Sequence, residues 1–261
     1  MSKIVTVISG KGGSGKTTLA VNLAVGLRML GKKTLLIDCS FGVRNDDSPL
    51  GVTNQLVYNL SDVISESVRF EDAVACDHRE HIPDFVGASV SPLPDNFKPR
   101  FSRFISNASR HYEYIIIDTP SSTGIETSVS VLCADVVLAI CGTDILSVQN
   151  TSLCVSRLSS DSDVRLVLND VSSSSDDDRF VEDIIDEVGV PLIGMIRYDE
   201  FVPQSLQSGD PIVRYNTFAG REIENIVSRL DNQHIDLSKK MSNERIFTKN
   251  KLVLKITSRR V

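Results

Sequence analysis

The sequence predicts an α/β fold in which a mostly parallel, twisted β-sheet carries helices on both faces. Short apolar segments alternate with amphipathic segments along the chain, as in proteins built from βαβ units. The apolar segments show no period of two, which indicates strands that are covered on both faces. We predict strands at residues 4–8, 34–37, 114–117, 136–140, 164–168 and 192–196.

Two of the helices between these strands have clear ends. Residues 16–30 place four leucines near one stripe, and Gly31 follows them as a C-terminal cap. Residues 180–188 form a second amphipathic segment, which Gly189 and Pro191 end. Each segment lies between two predicted strands, as the crossover helix of a parallel sheet does.

The composition is that of an ordinary globular protein. The 261 residues are 41% hydrophobic and 24% charged, enough to bury a full core. No segment approaches the roughly 18–20 consecutive apolar residues of a membrane span, and the N-terminal apolar run is too short for a signal peptide. The five cysteines are widely spaced without a CxxC pair. We therefore expect a reducing cytosol, and neither a disulfide framework nor a zinc site.

Charge is distributed unevenly along the chain. The net charge is −6, but residues 239–261 contain eight Lys and Arg against Glu244 alone. This segment therefore carries +7 and the rest of the chain −13. We predict one domain at residues 1–232, followed by a basic tail at residues 233–261.

A phosphate-binding loop follows the first predicted strand. Residues 10–17 match G-x-x-x-x-G-K-[ST] between a strand and a helix, the setting that this pattern requires. The glycines let backbone N–H groups converge on phosphate oxygens, and the helix presents its positive end to the same anion. Lys16 would reach the β- and γ-phosphates, and the Thr17 hydroxyl would ligate Mg²⁺. We therefore predict nucleotide binding by Gly10, Lys11, Gly12, Gly13, Ser14, Gly15, Lys16, Thr17 and Thr18.

Two aspartates at strand ends complete the predicted site. Asp38 follows the apolar residues 35–37, and Asp118 follows residues 115–117. A carboxylate at the end of a strand beside a phosphate loop can hold Mg²⁺ or position the attacking water. We assign the metal to Thr17, Asp38 and Asp118, and catalysis to Lys16 and Asp38.

The sequence KGGSGKTT at residues 11–18 resembles the deviant Walker A motif of the MinD/ParA family of ATPases, which has a second lysine five residues before the usual one. The resemblance implies that ATP with Mg²⁺ joins two copies of the chain in a homodimer. It further implies that Lys11 is a catalytic residue that reaches the partner's phosphates. Asn169 matches the family position whose amide reads the adenine edge.

Further matches to the MinD branch of this family cover nearly all of residues 1–232. The branch implies an ATP switch that is cytoplasmic as a monomer and docks on the inner face of the cell membrane as a dimer. There it would position the division septum through inhibitor and activator proteins of the Min type. The matching segments are 38–45, 50–51, 57–64, 112–120, 134–135, 146–148, 166–169, 191–194, 208–212 and 219–220.

The chain departs from the family pattern at several positions. Ser40 stands where the family has a second aspartate that helps to activate the hydrolytic water, and an unaided hydroxyl is no general base at neutral pH. We therefore predict slow or absent hydrolysis, unless Asp38 or a nearby residue takes over this role. The other departures are Ser122 for a glycine, Asp170 for an arginine, and Gln149 and Asn150 for charged residues of the partner-binding segment.

The basic tail leaves three interpretations open. Proteins of the MinD branch end in a basic amphipathic helix that binds an anionic membrane surface, where each basic residue contributes about 1 kcal/mol. In this chain the apolar residues 252, 254 and 256 alternate as in a strand and form no clean helical stripe. Residues 239–261 are therefore a membrane-binding segment, a disordered basic tail or a nucleic-acid-binding tail.

Other functional classes fit parts of the sequence. A ParA-like partition ATPase would carry DNA or other cargo on the nucleoid, but a body charge of −13 argues against nucleic acid as a partner. A pseudo-ATPase would use ATP as a structural ligand and scaffold a partner without turnover. An iron–sulfur ATPase needs paired cluster cysteines, which the sequence lacks.

Overall fold

A computed structural model describes residues 2–42, 47–52, 56–76, 79–89, 91–121, 123–171 and 177–237. The sheet that they form contains β1 (Lys3–Ser9), β2 (Thr34–Asp38), β3 (Asp84–Val86), β4 (Tyr114–Asp118), β5 (Val136–Gly142), β6 (Val164–Val171) and β7 (Leu192–Arg197). The strand order is β3-β2-β4-β1-β5-β6-β7, and every pairing between these strands is parallel. The predicted parallel α/β sheet is confirmed.

Strand β3 is the one strand of this sheet that the sequence pattern misses. It has three residues, begins with Asp84 and lies at the edge of the sheet beside β2. On its other side, Phe85 forms an isolated antiparallel bridge with Ala75. A segment this short that begins with a charged residue lacks the apolar run by which buried strands are recognised.

Most of the helices lie between successive strands, and the last two follow β7. Helix α1 (Lys16–Met29) ends one residue earlier than predicted, because Leu30 is its C-cap, and α8 (Asp177–Val188) begins three residues earlier than predicted. None of the described helices is long and apolar enough to span a membrane. In order, the helices are α1 (Lys16–Met29), α2 (Asp47–Leu50), α3 (Leu60–Ile64), α4 (Phe70–Ala73), α5 (Phe97–Ala108), α6 (Ile125–Cys133), α7 (Ile145–Ser156), α8 (Asp177–Val188), α9 (Val202–Ser208) and α10 (Phe218–Leu230), with a short 3-10 helix at Ile212–Arg214.

Apolar side chains pack on both faces of the sheet. On one face, α1 and α10 form a buried cluster with Val5 and Val7 of β1. The alternate residues of β1, Ile4 and Ile8, belong to clusters on the other face, which include residues of α3, α5, α6 and α7. Successive residues of a strand point to opposite faces, so β1 is buried from both sides, as its continuous apolar sequence predicts.

The end of the described chain is anchored by Arg229, which is buried in α10. Its guanidinium donates to the carbonyl oxygens of Ile193, Ile235 and Asp236 at 2.9, 2.9 and 2.7 Å. Leu237 packs against an apolar cluster that includes residues of α8 and β6. Residues 233–237 therefore contact the body of the domain, whereas the basic segment 239–261 lies outside the described residues.

Candidate functional site

The predicted phosphate loop lies at the carboxyl edge of the sheet, between β1 and α1. Strand β1 ends at Ser9, whose Oγ donates to the carbonyl oxygen of Lys11 at 3.0 Å, and α1 begins at Lys16. The segments after β2, β4 and β6 reach the same edge, because all strands of a parallel sheet end there. The structure thus brings the loop together with Asp38, Asp118 and Asn169, as the sequence analysis requires.

Two glycines fix the path of the loop. A Cβ on Gly10 would lie 2.3 Å from the backbone carbonyl carbon of Asn150 in α7, so this close approach requires a glycine. Gly15 has a φ of 92°, in the left-handed region, and a Cβ there would lie 2.6 Å from Nδ2 of Asn169. In contrast, a Cβ on Gly12 would meet its nearest neighbour at 3.9 Å. The loop is therefore confined by α7 on one side and by the end of β6 on the other.

Lys16, Thr17 and Asp118 form a polar cluster at the start of α1. The Nζ of Lys16 lies 3.4 Å from Oδ1 of Asp118, and Oγ1 of Thr17 donates to Oδ2 of the same carboxylate at 2.6 Å. Both side chains of the Lys16–Asp118 pair are almost completely buried. Because an unpaired buried charge is strongly unfavourable, each of these side chains compensates the charge of the other.

Asp38 lies beside Asp118, since the two are register partners on β2 and β4. Asp38 is buried, and its Oδ1 accepts a hydrogen bond from the backbone N–H of Ser40 at 2.9 Å. The backbone N–H of Cys39 donates to the carbonyl oxygen of Asp118 at 2.8 Å. The turn after β2 is therefore tied to β4, and the two aspartates predicted to bind metal are neighbours.

A cavity of about 460 Å³ lies between the phosphate loop and the turns after β2 and β4; we call it the phosphate cavity. The described side chains that line it offer one ammonium and five hydroxyls, and none of them is a carboxylate. Ser14 and Ser40 are 8% and 4% exposed, and neither Oγ has a hydrogen-bond partner within the described structure. The lining residues are Gly13, Ser14, Gly15, Lys16, Thr17, Thr18, Ser40, Phe41, Pro120 and Ser121.

A second cavity of about 310 Å³ lies at the ends of β6 and β7, and we call it the base cavity. It shares Gly13, Gly15 and Thr18 with the phosphate cavity, so the two meet at the loop. Asn169 lines it and donates from Nδ2 to the carbonyl oxygen of Ser14 at 3.0 Å. Asp170 lines it too, and desolvation raises the pKa of this carboxyl. Its apolar wall consists of Leu19, Ile196, Val202, Leu206 and Ile223.

These residues fit a nucleotide and its metal ion. The unpaired hydroxyls of Ser14 and Ser40 are donors that phosphate oxygens would satisfy. Gly13 and Gly15 line the cavity, so the loop has no side chain there between its backbone and an anion. The Thr17 hydroxyl and the Asp118 carboxylate are the hard oxygen ligands that Mg²⁺ prefers. The apolar wall of the base cavity suits a flat ring system, whereas the phosphate cavity suits a charged chain.

Lys11 is not among the described residues that line either cavity. Its Nζ is 3.1 and 3.2 Å from the two carboxylate oxygens of Asp144, the N-cap residue of α7. The two side chains are 43% and 49% exposed. The backbone N–H of Ser147, and then Lys11, lower the pKa of Asp144. The lysine that the resemblance assigns to a partner's phosphates therefore pairs with an acid of its own subunit.

Two acids of the site are not among the residues predicted from the sequence. Asp144 stands immediately before a helix, and an N-cap signal of this kind could have identified it. Asp199 lines the base cavity and accepts from the backbone N–H groups of Phe201 and Ala219, both at 3.1 Å. Burial opposes ionisation of Asp199, but these donors hold its pKa below the ordinary value. Ser122 and residues 43–46, which the sequence analysis also considers, lie outside the described residues.

Comparison with known sequences finds relatives that match most of the chain. The model of the family described as AAA domain matches residues 2–160. A putative septum site-determining protein MinD of Guillardia theta is 31% identical over 246 residues, covering 90% of this chain and 91% of that protein. The septum site-determining protein MinD of Synechocystis is 31% identical over 247 residues, with the same coverage of 90% and 91%.

Solved structures agree with this placement. A chain of the MinC:MinD cell division protein complex of Aquifex aeolicus superposes with a TM-score of 0.82 at 28% identity, covering 91% of this chain and 99% of that one. The septum site-determining protein MinD of Pyrococcus horikoshii, in complex with Mg-ADP, has the same fold, with a TM-score of 0.75 at 22% identity over 88% and 96% of the two chains. The chain therefore belongs to the MinD/ParA family of deviant Walker A P-loop ATPases, on the MinD side of that family.

Proposed function

We propose that this chain is a MinD-like ATPase of cell division that forms a homodimer when ATP and Mg²⁺ are bound. The observation that carries this proposal is the position of Lys11, which lies at the surface beside the phosphate cavity and pairs with Asp144. A half-exposed ion pair contributes little to stability and exchanges readily. Lys11 is therefore available to the phosphates of a second subunit that approaches this edge.

Within one subunit, the described residues would bind and orient the nucleotide. The loop N–H groups and the start of α1 would hold the phosphate oxygens, and Lys16 would contact the β- and γ-phosphates. Thr17 and Asp118 would hold Mg²⁺, with Asp38 beside them. The ion, when bound, neutralises negative charge on the phosphate oxygens. Asn169, fixed against the loop, would face the base.

Hydrolysis by this site is proposed to be slow. The described lining of the phosphate cavity contains no carboxylate, so it offers no ready acceptor for a proton from water. Asp38, the nearby acid, accepts a hydrogen bond from the Ser40 backbone. The same lining favours a second candidate function, a pseudo-ATPase that holds nucleotide without turnover. Phosphate release above background in the presence of any activator would exclude that candidate.

We further propose that the dimer positions the division septum at the inner face of the cell membrane. Residues 239–261, with a charge of +7, would bind an anionic membrane surface once dimerisation has joined two such segments. The ATP-free monomer would be cytoplasmic. Because a similar structure is part of a MinC:MinD complex of Aquifex aeolicus, we propose an inhibitor of the Min type as one partner. We propose an activator of the Min type as another. The body charge of −13 disfavours nucleic acid.

Gel filtration with light scattering tests the dimerisation. We expect the mass of a dimer with ATP and Mg²⁺, the mass of a monomer with ADP, and a monomer in both cases for Lys11→Ala. Lys33→Ala is the matched control, because Lys33 is exposed and immediately precedes β2, at the opposite edge of the sheet. A dimer that forms equally with ATP and ADP, or that survives Lys11→Ala, would contradict the proposed switch.

Co-sedimentation with liposomes that contain anionic lipid tests the membrane step. The full chain should sediment with them in ATP and stay in the supernatant in ADP. A chain that lacks residues 239–261 should stay in the supernatant in both, while it still dimerises in ATP. Sedimentation that ignores the nucleotide, or that persists after the deletion, would refute this step and leave dimerisation standing.

A further inference from the structure

We infer that the Ser40 hydroxyl is a hydrogen-bond donor to the terminal phosphate of the bound nucleotide, so that the chain distinguishes ATP from ADP through this side chain. The inference rests on the proposed nucleotide binding and adds a residue to it. It assigns Ser40 a ligand contact, beyond the mere absence of the acid that related ATPases have at this position.

The strand order sets the direction of the nucleotide. The base cavity is lined from the ends of β6 and β7, on one side of β1, and the phosphate cavity from the turns after β2 and β4, on the other side. The phosphate loop after β1 lies between them. A nucleotide with its base against the apolar wall and its phosphates on the loop must therefore extend its terminal phosphate toward Ser40 and Ser121.

The backbone around Ser40 is fixed on both sides. The N–H of Ser40 donates to Asp38, and the N–H of Gly42 donates to the carbonyl oxygen of Ser89 at 2.8 Å. Between them, the ring of Phe41 packs edge-on against Phe97 with the centroids 5.5 Å apart. Ser40 is thus held in place at the wall of the cavity, and rotation about χ1 alone can turn its hydroxyl toward a ligand.

The Ser40 hydroxyl lacks what a buried hydroxyl needs. It is 4% exposed and has no hydrogen-bond partner in the described part of the chain, which is unfavourable unless a ligand supplies one. None of the side chains that line the cavity accepts a hydrogen bond from this hydroxyl in the described structure, so a ligand that enters the cavity can supply the acceptor. A terminal phosphate carries such acceptors in excess. A neutral hydroxyl at this position, unlike a carboxylate, binds that phosphate without repulsion between like charges.

Calorimetric titration with ADP and with the non-hydrolysable ATP analogue AMPPNP, both with Mg²⁺, tests the assignment. Ser40→Ala should lower the affinity for AMPPNP about ten- to a hundredfold and leave the affinity for ADP unchanged. Ser40→Thr, which keeps the hydroxyl, should retain most of the discrimination. Ser130→Ala is the control, because Ser130 is equally buried but its hydroxyl contacts Cys39 away from the cavity. Repeating the comparison in a Lys11→Ala background separates the contact from dimerisation.

A second measurement guards against a purely structural effect. Without nucleotide, Ser40→Ala should melt at the same temperature as the wild type or a few degrees higher, since it removes an unpaired buried hydroxyl. Equal losses of affinity for both nucleotides, or unchanged affinity for AMPPNP, would overturn the assignment of Ser40 while nucleotide binding stands. A wild-type chain that binds neither nucleotide would overturn the proposed function itself.

Discussion

Lys11 and Asp144 form an ion pair outside the phosphate cavity, with Nζ at 3.1 and 3.2 Å from the two carboxylate oxygens. The same carboxylate caps α7 by accepting from the backbone N–H of Ser147 at 3.1 Å. The pair therefore links the phosphate loop to α7 within one subunit. If Lys11 serves the phosphates of a partner, it must first leave Asp144, so this contact competes with dimerisation.

We expect Asp144→Asn to tighten ATP-dependent dimerisation a few-fold, because Asn still caps the helix but no longer holds the charge of Lys11. The dimer dissociation constant from analytical ultracentrifugation measures the effect. The difference between the dissociation constants of the variant and the wild type should shrink as the salt concentration rises, since exposed ion pairs are screened. Asp95→Asn, at another exposed acid, is the control. Weaker dimerisation of Asp144→Asn would show that Asp144 assists the partner contact.

The glycines of the loop should differ sharply in their tolerance of a methyl group. Gly10→Ala should lower the free energy of unfolding by about 3 kcal/mol, because its Cβ would overlap the α7 backbone at Asn150. Gly12→Ala should change it by less than about 1 kcal/mol, since its Cβ would meet nothing within 3.9 Å. Urea unfolding without nucleotide compares the two. Equal losses of the free energy of unfolding in the two variants would mean that α7 shifts at little cost at this contact.

Removing the Thr17 hydroxyl should destabilise the fold and weaken the proposed Mg²⁺ site. Thr17→Val leaves Oδ2 of the buried Asp118 carboxylate without the hydroxyl that donates to it at 2.6 Å, at a cost of about 1–3 kcal/mol. We also expect nucleotide affinity to lose most of its dependence on Mg²⁺. Thr17→Ser keeps the hydroxyl and should resemble the wild type in both assays. A Thr17→Val variant whose nucleotide binding still responds fully to Mg²⁺ would argue against Thr17 as a ligand.

Restoring an acid at position 40 should accelerate turnover. Ser40→Asp gives the phosphate cavity a carboxylate that can accept a proton from water, so steady-state phosphate release should rise about ten- to a hundredfold. Ser40→Asn has a similar shape without a base and should stay slow. A wild-type rate that equals that of Ser40→Asp would refute slow hydrolysis.

Asp199 should make stability depend on pH in the acidic range. Its pKa is lowered in the folded state, so its contribution is fully present above the unfolded-state pKa of about 3.9 and is lost as the pH falls below it. At pH 7 we expect the free energy of unfolding of Asp199→Asn to be about 1–2 kcal/mol lower than that of the wild type. The difference should shrink in urea titrations from pH 5 down to pH 2. The exposed neighbour Glu200 supplies the control Glu200→Gln; a difference that stays constant with pH would exclude ionisation as its cause.

The parts of the fold that could be predicted are those in which burial requires a particular pattern of residues. Buried parallel strands need apolar side chains on both faces, so β1 and β4 are evident from their sequences. Strand β3 is not, because its three residues at the edge of the sheet depend on pairing with β2 and on the bridge from Ala75. Such pairing is a property of the assembled sheet and has no local signature.

The candidate site was predictable as a set of residues but not as a set of contacts. The loop pattern identifies Lys16 and Thr17, and strand ends identify Asp118, but nothing local indicates that all three share one buried carboxylate. The pairing of Lys11 with Asp144 spans 133 positions and depends on the approach of α7 to Gly10. The unpaired hydroxyl of Ser40 likewise emerges only when the surrounding turns are in place.

The hydrogen bonds of Arg229 bear on how a bound nucleotide could affect the C-terminal end of the described chain. They fix residues 235 and 236 near Ile193, by the start of β7, so the described chain ends at the amino edge of the sheet. The phosphate loop is at the opposite edge, separated by the seven residues of β1, about 23 Å of strand. An exchange of ATP for ADP therefore takes place about one strand length away from this end of the described chain. A membrane-binding tail on this scaffold would respond to how many subunits are joined, and the nucleotide would act by setting that number.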